Sequence, residues 1–247
     1  TNDVTSSLHY LRLAYRTQQK VPVNKLSVHN RISVLYNLSN VYMEAHKHDS
    51  ANYFAQKALI IAKASNNLRG LSGLSGLKAA AFSAMKPEKP EHLDSAAYHL
   101  KRAADYAQQC KDLGLATTSF LELARAYRRQ GKAADSRLAA QQALDVARQA
   151  HRPNYEADAL RGLSYAQADQ GNYQQSIELA ERAKQLQDSI LNGEKSKEMA
   201  GLQVKYNVEQ LHQKNRLAEE QKRVATEQNR TMAAQAQVQW TRVQLLT

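Results

Sequence analysis

Residues Thr117 to Arg148, TTSFLELARAYRRQGKAADSRLAAQQALDVAR, align without a gap with Ala157 to Asp188, ADALRGLSYAQADQGNYQQSIELAERAKQLQD, at an offset of 40. Phe120 meets Leu160, Leu123 meets Leu163, Ala124 meets Ser164, Gly131 meets Gly171, Ser136 meets Ser176, Ala140 meets Ala180 and Ala143 meets Ala183. Self-similarity at a fixed period of several tens of residues marks a stacked repeat, in which one unit cannot bury its apolar face without its neighbour. Apolar residues three and four apart make each half of the stretch an amphipathic helix. The glycine punctuates the turn between the halves, and the small residues mark where two helices touch.

Working outward, an earlier copy runs through Leu35, Leu38, Ser39, Tyr42, Ala51, Ala55 and Ala58, with His46 in place of the turn glycine. A degraded copy uses Leu74, Leu77, Ala96, Leu100 and Ala103. Its insertion Lys86-Pro87-Glu88-Lys89-Pro90 reads as a loop because of its two prolines. Ser7, Leu11 and Ala14 read as the second helix of a pair whose first helix lies upstream of Thr1. The small positions Ser7, Ala51, Ala96, Ser136 and Ser176 are therefore 44, 45, 40 and 40 residues apart. Taken in order, Phe120, Leu123, Ala124, Tyr127, Gly131, Ser136, Ala140 and Ala143 resemble the tetratricopeptide repeat, whose usual period is about 34 residues. The longer spacing predicts helix pairs lengthened by roughly one to two turns. The resemblance implies an all-α, right-handed α-α superhelix with a concave face lined by the first helix of each pair, helix A. It also implies a function in recognition. The expected organisation is four full helix pairs and a leading helix over residues 1–188, then a long helix, a possible coiled coil, over residues 189–247.

Composition narrows the classes further. The chain has 247 residues with only 9 Gly and 4 Pro, too few for the many turns of an all-β fold, and its single Cys excludes an intrachain disulfide scaffold. There is no secretory leader pattern and no run of eighteen apolar residues. A net charge of +11 raises nucleic acid as a partner. From Asp188 onward, however, 9 basic side chains face 7 acidic ones, leaving 25 against 16 in the repeats. With no basic cluster in the tail, nucleic acid is not an expected partner. The chain opens at Thr1 and closes on Leu245, Leu246 and Thr247, and reads as a piece of a longer protein.

Glu194 to Thr247 holds no Pro and one Gly, Gly201, and reads as one long helix. A seven-residue row links Leu217, Val224, Thr231, Val238 and Leu245, but the complementary row is Glu220, Glu227, Ala234 and Thr241. That pattern fits either a marginal coiled coil that pairs in a homodimer or a solvated helix. The junction Asp188-Ser189-Ile190-Leu191-Asn192-Gly193-Glu194-Lys195-Ser196-Lys197, followed by Leu202-Gln203-Val204-Lys205-Tyr206, resembles the end of repeat arrays in Bacteroidetes-type membrane-bound sensor proteins. The resemblance implies a membrane span after the helix and a histidine kinase or helix-turn-helix output domain, neither of them within these residues. It places the array at the periplasmic face of the inner membrane, a cytoplasmic location being the alternative. Trp240, beside Arg242 and ahead of Leu245-Leu246, reads as an interfacial anchor or as ordinary packing.

No catalytic constellation emerges, and no enzyme activity, cofactor or metal is expected. Cys110 on a second helix reads as a small buried side chain. His46-Lys47-His48 reads as a solvated turn without further ligands at a diagnostic spacing. Gly70-Leu71-Ser72-Gly73-Leu74-Ser75-Gly76 lacks the Gly-Lys-Ser/Thr ending of a phosphate loop and fits a helix A instead. The candidate binding residues lie where helices A face the groove: Tyr36, Asn40 and Met43, then Leu121, Arg125 and Arg128 with Arg129 adjacent, then Arg161 and Tyr165. Arginines and tyrosines so placed can grip a carboxylate, a phosphate or an acidic peptide. Equally, they can be solvated groove residues paired with Asp158 and Asp169. Two functions are open: a sensory module that binds a peptide or protein and signals through the long helix, or an adaptor for protein–protein interaction without signalling output.

Overall fold

The computed structural model describes the backbone of residues 2–22 and 24–244, and side chains over 4–22, 24, 26–228 and 230–232. Among the described residues every regular element is α-helical. The helices are α1 (Asn2–Gln19), α2 (Lys25–Glu44), α3 (His48–Ala64), α4 (Leu68–Ala84), α5 (Pro90–Gln109), α6 (Leu113–Arg129), α7 (Ala133–Gln149), α8 (Pro153–Ala168) and α9 (Tyr173–Gln244). Two compact units emerge, Thr1–Ile190 and Leu191–Thr247. The first is a tetratricopeptide-like stack in which α2, α4, α6 and α8 are helices A, and α3, α5, α7 and the start of α9 are helices B.

The pair α6–α7 shows why this sequence folds this way. Asp112 caps α6 by accepting a hydrogen bond from the Leu115 amide at 3.1 Å. Ala116, Phe120, Leu123 and Ala124 then fall on one buried stripe, answered by Ala139, Ala140, Ala143, Leu144 and Ala147 of α7. Alanine on the facing helix lets two backbones approach, so one serine per pair can bond across the contact. The Ser136 Oγ donates to the Ala124 carbonyl at 3.0 Å. Where the small residues are exchanged, so is the bond: Ser39 of α2 donates to the Ala51 carbonyl at 2.7 Å, and Ser164 of α8 to the Ser176 carbonyl at 2.9 Å. The repeating small residue is thus both a packing device and a buried, satisfied hydrogen bond.

Each short turn contains one residue in the left-handed region: His46 (φ 56°), Asn66 (49°), Lys111 (58°), Gly131 (72°), His151 (50°) and Gly171 (79°). At Gly131 the amides of Gly131 and Lys132 close back on the carbonyls of Arg128 and Tyr127, both at 2.9 Å. His46 adopts the same closure, its amide and that of Lys47 bonding Met43 and Tyr42 at 3.0 and 2.9 Å. The turn the sequence marked only weakly is therefore the same turn, held at a cost of roughly 1–2 kcal/mol for a side chain in this conformation. The proline-rich insertion is a loop, and Pro90 opens α5 at a position where its missing amide costs nothing. Leu8, Leu11 and Tyr15 of α1 pack on Leu38, Tyr42, Ala51 and Ala81, making α1 the leading helix of the stack.

Helix α9 carries the last helix B through Gly193 and Gly201 without a break. One expectation changes. The expected membrane placement is overturned: no helix among the described residues is long and apolar enough to cross a membrane, because Gln, Glu, Lys and Arg recur through the tail. Leu217, Val224 and Thr231 of the seven-residue row are exposed. Leu245, Leu246 and the side chains of Val238, Trp240 and Arg242 lie outside the described residues, so the anchor reading falls outside them too.

Candidate binding groove

Helices α2, α4, α6 and α8 touch in series and form one layer of helices A. Close approach within that layer is set by small residues. The Tyr36 ring edge lies 3.5 Å from where a Cβ on Gly73 would stand, and Leu121 Cδ2 lies only 2.6 Å from the same point on Gly162. Between α4 and α6 is a hollow of about 320 Å³, floored by Gly76, Ala79 and Ala80 and rimmed by Glu122, Arg125 and Arg129. Between α6 and α8 is a smaller one of about 40 Å³, bounded by Leu121, Arg125, Arg128, Asp158, Arg161 and Tyr165.

The structure thus brings together Arg125, Arg128, Arg161 and Tyr165, and puts Arg129 beside Arg125 in the adjoining hollow. Tyr36 and Asn40 stand on α2 and line neither hollow. Each of the four arginines has an acidic partner. Arg128 forks onto Asp169 at 2.5 and 3.2 Å, with its guanidinium 5.2 Å from the Tyr165 ring centre, and the carboxylate holds its pKa above the ordinary arginine value. Arg129 donates to Glu88 at 2.6 Å and to the Ser83 carbonyl at 3.2 Å, keeping the Glu88 carboxyl below its usual range. Arg125 pairs with Glu122 on its own helix, while Arg161 lies 3.7 Å from Asp158 and donates to Gln187 at 2.6 Å.

Of these partners the sequence pointed to Asp158 and Asp169 but not to Glu88 or Glu122. The readable signal was spacing: Arg128–Asp169 and Arg129–Glu88 are both 41 residues apart, about one repeat, so equivalent turns of neighbouring pairs meet. Exposed pairs of this kind stabilise by about 0–1 kcal/mol and mainly fix side-chain direction. Arg125 differs, because its side chain is 67% exposed and its acid is only one turn away, so it can turn to a ligand at little cost.

The other motifs carry less. Cys110 is the C-cap of α5, half-buried, with Sγ 3.4 Å from the Ala107 carbonyl. The His46 and His48 rings are 6.2 Å apart, and among the described residues no group of three or more His, Cys, Asp or Glu could hold a metal. Gly70 to Gly76 lies inside α4.

Residues 115–189 match the family model for the tetratricopeptide repeat. No curated protein sequence matches the chain. Solved structures share the fold at low identity. BtubC (BKLC) from P. vanneervenii has a TM-score of 0.66 at 15% identity, over 76% of this chain and 74% of its own. A putative kinesin light chain from Podosopora anserina has a TM-score of 0.62 at 18% identity, over 77% of this chain and 90% of its own. A Rap protein complexed with Competence and Sporulation Factor has a TM-score of 0.57 at 14% identity, over 75% of this chain and 49% of its own.

Proposed function

We propose that the chain is a tetratricopeptide-type adaptor that binds a peptide or protein segment along the layer of helices A. The observation that carries this reading is the pair of adjoining hollows that share Arg125, one floored by Gly and Ala and the other walled by Arg128, Arg161 and Tyr165. Small residues leave room for a backbone or an apolar side chain. Arg125, with its exposed local partner, supplies a guanidinium fork that a ligand carboxylate can take over from Glu122. Because Arg128, Arg129 and Arg161 also have acidic partners, the ligand needs one well-placed acidic group rather than a strongly anionic surface. The Rap protein, complexed with Competence and Sporulation Factor, supports the idea that this fold class serves recognition.

The narrower role implied by the resemblance of Asp188–Tyr206, input to a signalling output domain, gains no support from the family match or the structural neighbours. The adaptor reading takes precedence. Self-association through the Leu217, Val224 and Thr231 row belongs to the same proposal, and light scattering across a concentration series reads it directly.

Selection of a peptide library on the full chain, followed by calorimetry of an enriched peptide, tests the groove. Replacing Arg125 and Arg161 together by Ala should weaken that peptide at least about tenfold, the loss of one charge-assisted contact or more. Unchanged affinity would refute the groove assignment.

A further inference from the structure

We propose that a cleft on the helix-B side, between α3 and α5 and over α4, binds a phosphate monoester through Lys63, Lys78 and Arg102. This site is separate from the groove on helices A and does not depend on it. The cleft encloses about 300 Å³ and is lined by Gln56 and Lys63 from α3, Ser75 from α4, and Tyr98, His99 and Arg102 from α5. Lys78 stands at its edge: its Nζ donates to Gln56 Oε1 at 2.6 Å and lies 5.8 Å from the Phe82 ring centre.

Lys78 is the anomaly that motivates the assignment. It occupies the helix-A place filled by Ser39, Ala124 and Ser164 in the other pairs, where helices meet and a small residue suffices. There it is only 8% exposed, and among the described residues no carboxylate pairs with it. Burial lowers its pKa from the ordinary lysine value, the expected response of an ammonium with too little compensation. Arg102 is similarly placed, its guanidinium donating to the hydroxyls of Tyr98 at 2.9 Å and of Tyr106, both neutral acceptors. Lys63 has no ion pair among the described residues, and Asp105, the acid nearest Arg102 in sequence, forms none with it. His99 stacks on Phe82 and is held neutral, its pKa lowered to about 4 by burial and then by Lys78 and Arg102.

Lys63 and Arg102 therefore line one half-enclosed cleft, Lys78 adjoins it through Gln56, and among the described residues none of the three pairs with a carboxylate, while each groove arginine does. A carboxylate would offset one charge. A phosphate monoester brings about −1.5 to −2 near neutral pH and three acceptor oxygens. Those oxygens suit an ammonium, a guanidinium fork and the tyrosine hydroxyls together, and Leu71 and Tyr106 leave an apolar wall for the organic part.

Calorimetry on the full chain with phenyl phosphate, benzoate, and a serine peptide in phosphorylated and unphosphorylated forms tests this. Phenyl phosphate or the phosphopeptide should bind at least tenfold tighter than benzoate and the unphosphorylated peptide. Lys78→Met and Arg102→Gln should each weaken that binding at least tenfold. A stronger phosphopeptide identifies the source as a modified partner, and equal affinities identify a free ester. The Arg125→Ala/Arg161→Ala variant should bind as the unaltered chain does, which separates this site from the groove. Thermal melting should show Lys78→Met folded and no less stable, so its lost binding cannot be misfolding. No binding of either phosphate at millimolar probe, equal binding of benzoate, or indifference to Lys78→Met would each overturn the site.

Discussion

The groove at α6 and α8 and the cleft at α3 and α5 are built from the same residue types, arginine or lysine beside tyrosine, and they handle charge in opposite ways. In the groove Arg128 meets Asp169 and Arg129 meets Glu88, each about one repeat away, so the charges stitch neighbouring pairs together. In the cleft Lys78 and Arg102 meet Gln56, Tyr98 and Tyr106, an amide and two hydroxyls rather than carboxylates. Two basic surfaces that look alike in composition thus differ in what they lack. A groove ligand must displace a weak internal partner, whereas the cleft's basic groups pair with no carboxylate among the described residues.

The largest way to break the comparison is beneath the two sites. Leu74, fully buried under the cleft, and Phe120, 5% exposed under the groove, should each cost about 3–5 kcal/mol when replaced by Ala, measured by urea denaturation. Because stacked repeats contact only their neighbours, the first loss should fall mainly on phosphate binding and the second mainly on peptide binding. Equal damage to both sites by either change would show that the two regions are not separable.

A smaller effect, with opposite signs in the two regions, sharpens the contrast. Lys78→Met should raise stability by about 1 kcal/mol, since it replaces a poorly compensated buried ammonium by an apolar side chain of similar length. Arg128→Met should lower stability by up to about 1 kcal/mol by breaking an exposed pair. If both changes destabilise, Lys78 is compensated and the charge argument for the cleft fails.

The last effect is a pH dependence, silent at neutral pH and expressed only on acidification. His99 has a pKa of about 4 in the folded chain, below the ordinary histidine value of 6.5. The unfolded chain therefore takes up that proton first. This contribution to stability is intact above pH 6.5 and declines as pH falls from 6.5 towards 4. The Glu88 carboxyl, lowered by Arg129, loses its contribution only at more acidic pH, as it protonates. Melting curves at pH 7 and pH 5 should separate the two, and His99→Gln should flatten the dependence in that window. A slope unchanged by His99→Gln would place it elsewhere.

Much of the fold was legible because stacking imposes a one-dimensional rule that a sequence can carry. Ser136, Ala140 and Ala143 recur because two backbones approach there, and the Ser136 and Ser39 bonds show what the spacing was recording. The turns were less legible because the left-handed conformation is shared by glycine at 131 and 171 with His46, Lys111 and His151, whose side chains give no such signal. Of the binding residues, the sequence placed Arg125, Arg128, Arg161 and Tyr165 on one layer and offered Asp158 and Asp169 as partners. It did not single out Glu88, because the proline-containing insertion interrupts the repeat pattern even though Glu88 lies 41 residues, about one repeat, from Arg129.

The sequence by itself determined the helical repeats, their length, the excess of 25 basic over 16 acidic side chains in them, and a tail of nearly balanced charge. Only the tertiary structure decided where that excess is compensated. Pairing depends on which residues meet across neighbouring repeats and on how much water reaches them, and neither is written in local order. Lys78 is one more lysine in the sequence. Packed between α3 and α5 it is a nearly buried cation that pairs with no carboxylate among the described residues, because the packing that buries it brings Gln56 of α3 to its ammonium instead.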